Sequence, residues 1–182
     1  MKTWIALLRG INVVGRRQVP MKRLVSVLED AGFQSVRTYI QSGNIVFRSS
    51  VKTARTLGTR IASLVAVEFG FEPQVMVIDA EHLAESIRFN PFKGADSDHK
   101  ALHLFFLSEL PATPDLVGLA RFKGDREEFV LRKTTFYLFT PGGFHISKVH
   151  DKIERYLGVH ATGRNWRTAN QLLEIARAPG PG

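Results

Sequence analysis

The chain has 182 residues and carries 25 lysines and arginines against 17 aspartates and glutamates, a formal net charge of +8. Its 44% hydrophobic and 23% charged content is that of a folded globular protein, which excludes disordered and fibrous classes. The lack of cysteine excludes disulfides, thiolate metal sites and cysteine nucleophiles.

The first apolar stretch, Trp4 to Leu8, is too short for a signal segment and is closed by Arg9. No window approaches the ~18 apolar residues of a membrane span, so a cytoplasmic protein without membrane association is expected. That stretch instead suits a buried strand. Pro20 opens a helix with Met21, Leu24, Val25, Leu28 and Ala31 on one stripe, and Gly32 stops it. Residues 36–40 alternate as a strand, Ser42, Gly43 and Asn44 supply turn chemistry, and residues 45–47 resume as a strand. Leu57, Ile61, Leu64, Val65 and Phe69 mark a second helix ending at Gly70, and residues 75–78 form a buried strand. The order β-α-β-β-α-β is that of a ferredoxin-like unit.

A connecting helix starts near Asp79 and fades by Asn90 and Pro91, and the same element order then recurs without a residue-level repeat. Residues 101–107 are strand-like, and residues 114–121 form a short helix with Thr113 as its cap. Strands at 129–131 and 136–139 meet about Lys133 and Thr134, and a helix through Ile146, Val149, Ile153 and Leu157 ends at Gly158. A weak strand at 160–162 completes the second unit, and a helix over 166–177 follows. The expected fold is therefore α+β, two tandem ferredoxin-like units plus a C-terminal helix. The expected division is a basic first unit over 1–80, a connector over 81–100, a second unit with the C-terminal helix over 101–177, and a tail over 178–182.

Three polar clusters stand out. Gly10 and Gly15, followed by Arg16 and Arg17, imitate the spacing of a phosphate loop. However, Arg16 replaces its lysine and Arg17 its magnesium-binding hydroxyl, which leaves an anion-binding loop of Arg9, Asn12, Arg16 and Arg17 against a plain connection. Gln41, Ser42 and Asn44 add amides beyond what a hairpin needs. This turn and the loop after the first strand normally leave from opposite ends of their strands, and spacing leaves their meeting open. At 164–167, Asn165 suits a helix cap and Trp166 a core anchor, while Arg164 and Arg167 beside the Trp face suit a phosphate or a base.

Other chemistry is weaker. Only Phe47 is aromatic on the third strand, so the stacking platform of an RNA-recognition module is missing. His99 and His103, four apart on a strand, lie about 13 Å apart, and His145 and His150 bring no complete ligand set, so no metal and no cofactor is expected. Ser147 and Lys148 read as a helix cap and a first-turn lysine before a nucleophile with an amine base. No nucleophile elbow or paired carboxylates assign an enzymatic activity.

The segments ALLRGINV (6–13), TYIQSGNIVF (38–47) and RNWRT (164–168) together resemble the bacterial Domain of Unknown Function 1697 family. Asn90 to Phe92 and the Ser147–Lys148 pair fit the same likeness, while Val14 stands where members commonly have a second glycine. The resemblance implies two ferredoxin-like halves and no particular activity. Its motifs coincide with the clusters chosen by chemistry.

Three functional readings follow. The first is anion binding, with nucleic acid or a phosphate-bearing small molecule as partner. The second is an enzyme or ligand-binding protein with a pocket between the units, built from Arg9, Asn12, Gln41, Asn44 and Trp166. The third is an interaction scaffold forming a homodimer through edge strands. Charge favours the first: residues 1–80 hold 11 basic and 5 acidic residues, whereas residues 81–182 hold 14 and 12. Removing Arg16 and Arg17 is expected to weaken anion binding and leave stability nearly unchanged.

Overall fold

The structure is a computed structural model that describes residues 1–13, 17–92, 94 and 100–179. The chain divides into two compact units, residues 1–84 with 171–182, and residues 85–170.

In the first unit, β1 (Lys2–Arg9), β2 (Gln34–Tyr39), β3 (Asn44–Ser49) and β4 (Gln74–Asp79) form an antiparallel sheet in the order β2-β3-β1-β4. Helices α1 (Met21–Asp30) and α2 (Ala54–Phe69) cover one face, as the apolar stripes require. Trp4, Ala6 and Leu8 alternate onto that face and meet Leu24, Leu28, Phe47, Leu57 and Ile61 in one core. Each such side chain contributes roughly 1.5–3 kcal/mol by leaving water. Helix α1 stops where Gly32 adopts φ 86°. The Gly32 amide then donates to Glu29 O (2.8 Å) and the Phe33 amide to Leu28 O (3.0 Å), which satisfies the terminal carbonyls. The Thr53 side chain caps α2 by accepting from the Thr56 amide. The end of the C-terminal helix belongs to this unit, and Arg37 Nη2 on β2 donates to Ala178 O at 3.3 Å.

In the second unit, β5 (Leu102–Leu107), β6 (Glu128–Arg132), β7 (Thr135–Phe139) and β8 (Ala161–Asn165) repeat the order as β6-β7-β5-β8. The repetition reaches single hydrogen bonds: Leu8 N donates to Gly43 O (2.8 Å) and Leu107 N to Thr134 O (2.9 Å). Helix α3 (Ala80–Arg88) links the units in sequence, and α6 (Trp166–Arg177) follows β8. Tyr137 is fully buried, and its hydroxyl donates to Ser86 O at 2.8 Å.

Three expectations are corrected here. Helix α4 (Leu116–Ala120) is capped by Asp115, whose Oδ1 accepts from the Gly118 amide at 2.7 Å, and not by Thr113. The single helix expected from Ile146 to Leu157 is instead two 3₁₀ turns, Phe144–Ile146 and His150–Lys152, followed by the short α5 (Ile153–Leu157). Ser147 breaks it: its backbone is extended (φ −66°, ψ 134°) and its Oγ accepts from Val149 N at 3.2 Å. A local hydroxyl-to-amide bond has replaced a helical one. The weak strand expected at 160–162 is longer, running to Asn165, because β8 pairs with β5 along His103 to Leu107.

Candidate functional site

The polar residues of the first unit gather at one end of its sheet. Strand β3 runs antiparallel to both β1 and β2, so β1 and β2 are parallel and finish at the same end. The loop after β1 and the turn after β2 therefore leave together, and not from the usual opposite ends. Asn12 joins them. Its Nδ2 donates to Gln41 O (2.7 Å) in the turn and to Val19 O (3.1 Å) in its own loop, while its Oδ1 accepts from Val19 N (2.7 Å). The Asn12 amide donates to Arg17 O at 3.0 Å, closing the loop on itself. Asn44, fully buried, donates through Nδ2 to Tyr39 O (3.2 Å) and Ser42 Oγ (2.9 Å) and closes the turn. Asn12 and Asn44 thus spend their amides in building the loop pair. Asn12→Ala is expected to cost about 2 kcal/mol, because Val19 N and Gln41 O lose their partner in a half-buried setting. Urea unfolding of the two proteins checks this.

Arg9, Arg17, Gln41 and Ser42 remain on the exposed side of that end. Arg9 Nη1 reaches Gln74 Oε1 (3.4 Å), its cross-strand neighbour on β4. Arg17 lies with its guanidinium carbon 5.6 Å from the centre of the Phe71 ring. Its Nη1 sits 3.3 Å from where a Cβ on Gly10 would be, and Gly10 itself adopts φ 71°. Glycine is needed here twice, for the backbone and for the space. Among the described residues no ion pair involves Arg17. Arg16 lies outside the described residues, as does His99.

The same end carries backbone strain. Of the five non-glycine residues with positive φ among the described residues, Asn12 (52°), Arg17 (52°) and Ile40 (50°) belong to this loop pair. For a β-branched residue such as Ile40 this region costs of order 1–3 kcal/mol. Ile40 and Val13, 54% and 58% exposed, stand on either side of the Asn12–Gln41 link. Sequence reasoning passed over Val13, Ile40 and Phe71. Ile40 read as the last residue of a strand, and Phe71 drew no reading between the Gly70 helix stop and the next strand. The one available signal was an isoleucine placed where a turn must begin.

The second unit holds the remaining candidates. Asn165 Oδ1 accepts from Thr168 N at 2.8 Å and Trp166 is buried, so both serve α6 as read from the sequence. Arg164 Nη1 donates to Gly163 O at 2.8 Å, and burial pushes its guanidinium down to about 10, still charged at neutral pH. Ser147 is buried and spent on Val149, whereas Lys148 and Arg167 are exposed. The end of this sheet that corresponds to the Arg9–Arg17 end carries charges of both signs, Glu109 and Glu154 with Arg155. An open cleft of about 480 Å³ there is lined by residues including Ser108, Glu109, Glu154 and His160, with His160 Nδ1 3.6 Å from Glu154. In the first unit, a groove of about 550 Å³ beside β2 has mostly apolar walls, Val25, Val36 and Ile175 among them. Neither opening is lined by a residue taken from the sequence as a candidate ligand contact. Among the described residues no histidine and carboxylate cluster is suited to a metal ion. None of the described helices is long and apolar enough to cross a membrane.

Two four-stranded antiparallel sheets of identical strand order, each with helices between its strands, define a tandem α+β protein of the ferredoxin-like kind. Residues 1–137 match the family described as "Protein of unknown function (DUF1697)", and the chain belongs to that family. The matched span includes the Arg9–Asn12 and Gln41–Asn44 clusters; Arg164–Arg167 lies beyond it. The fold is also similar to that of the conserved bacterial protein SP0830 from Streptococcus pneumoniae. That likeness has a TM-score of 0.75 and 23% identity, over 97% of this chain and 99% of the other. No curated protein matches the chain.

Proposed function

We propose that the loop end of the first unit binds a phosphate-bearing ligand, a nucleotide or nucleic acid, in the cytoplasm. The observation that carries this reading is Arg17, held against Gly10 and over Phe71 at an exposed end where two loops are tied together and where β1 ends in Arg9. A guanidinium fixed in place loses little conformational freedom when an anion arrives. Gln41 and Ser42 stand on the same exposed side and supply neutral hydrogen-bonding groups. Charge supports the choice of unit. Residues 1–80 carry the 11-to-5 basic excess, whereas residues 81–182 are nearly balanced at 14 to 12.

The test is fluorescence anisotropy with labelled single-stranded and duplex oligonucleotides and a labelled nucleotide, on the natural chain and on an Arg9→Ala, Arg17→Ala variant. The variant is expected to bind roughly tenfold or more weakly, since each charge-assisted bond is worth about 1.5–3 kcal/mol, while its unfolding midpoint stays nearly unchanged. Equal affinity in the two proteins, or no association of any probe, overturns the reading.

A further inference from the structure

We propose, resting on the reading above, that the ligand is a nucleotide unit whose base stacks on the outer face of the Arg17 guanidinium while its phosphate meets Arg9. Three observations lead there. First, the guanidinium of Arg17 lies over the Phe71 ring at 5.6 Å. Arg17 is exposed, so the cation over this ring borders solvent. That arrangement, a cation backed by an aromatic ring, is the kind of surface on which bases stack. Second, its placement is built in rather than incidental. Gly10 leaves the space that Arg17 Nη1 occupies, and the Asn12 amide holds Arg17 O at 3.0 Å. Third, the surroundings are mixed in polarity. Exposed Val13 and Ile40 supply apolar surface on the two joined loops, and Arg9 ends the strand from which the first of these loops leaves. A bare phosphate or sulfate would make no use of that apolar surface; a base with its sugar would.

A phosphate held by charge alone does not distinguish arginine from lysine, but a base held by stacking does, because only the guanidinium is planar. The experiment therefore compares three probes on the whole chain: a short labelled deoxyadenosine strand, an abasic strand with the same number of phosphates, and labelled adenosine monophosphate. The base-bearing strand is expected to bind roughly tenfold more tightly than the abasic one, the scale of one stacked base. In Arg17→Lys, which keeps the charge at an exposed position, that margin should fall to nearly nothing while the salt dependence persists. Phe71→Leu should reduce the margin in the same direction, its thermal midpoint reporting whether the fold is kept. Adenosine monophosphate binding as tightly as the strand would assign a free nucleotide, and strand binding alone a single strand; both retain the base contact. Equal affinity of the base-bearing and abasic strands for the natural chain overturns the stacking proposal and leaves anion binding standing. Failure of every probe to bind sinks both.

Discussion

Gly43→Val is expected to destabilise the protein by about 3 kcal/mol or more, from left-handed strain and overpacking acting together. Gly43 has φ 74°, and a Cβ there would stand 2.7 Å from Leu8 Cβ, 3.0 Å from Ile11 Cδ1 and 3.1 Å from Leu8 O. Ile11 Cδ1 could turn aside, but Leu8 Cβ and O are fixed by the strand, so the clash remains. The same glycine accepts the Leu8 amide at 2.8 Å and so joins the turn to the strand that carries Arg9. Chemical denaturation would show the midpoint shift, and binding by the variant should fall along with stability. A Gly43→Val protein as stable as the natural chain would mean that the turn does not lie against β1 as described.

The second large effect is on acid stability and lies in the other unit. His103 on β5 stacks on Phe144 with ring centres 3.9 Å apart, and Phe144 in turn lies 4.4 Å from His150. The Nδ1 atoms of both histidines are buried without a partner. Burial pushes the His103 imidazole down to about 4, reinforced by the charge of His150 and opposed by a hydrogen bond to the Ala101 backbone. Lowering a base below its unfolded value of 6.5 means that the unfolded chain takes up the proton first. Stability from this group is therefore complete above about pH 6.5 and is lost as pH falls towards about 4, amounting to about 3 kcal/mol. His103→Phe keeps a ring against Phe144 and cannot titrate. Its stability should exceed that of the natural chain by a margin that widens between those pH values. A margin constant across that window would show that His103 is solvated.

What could be read from the residues alone depended on whether the signal was local. The short continuous apolar run of residues 4–8, all buried, and the stripe of Met21, Leu24 and Leu28 place strand and helix because burial on both faces or on one enforces those patterns. Gly32 and Gly70 marked true helix ends for the same local reason. The apolar spacing of Ile146 to Leu157 misled, because one buried serine hydroxyl diverted the backbone into an extended conformation. The convergence of the two loops turns on strand direction, not on any residue. Once β1 and β2 are recognised as parallel, Asn12 and Gln41 must meet, and the 2.7 Å bond between them follows. The role of Phe71 under Arg17 had no sequence signature, since the contact joins residues that only the fold brings together.

The most direct test of an anion-binding first unit is the salt dependence of oligonucleotide association. For the natural chain the logarithm of the association constant should fall linearly with the logarithm of salt concentration, as counterions released from the phosphates are recaptured. The Arg9→Ala, Arg17→Ala variant should show a slope shallower by roughly 1–2, the share of two lost phosphate contacts. A slope near zero in the natural chain, or the same slope in both proteins, would contradict the placement of the anion at Arg9 and Arg17.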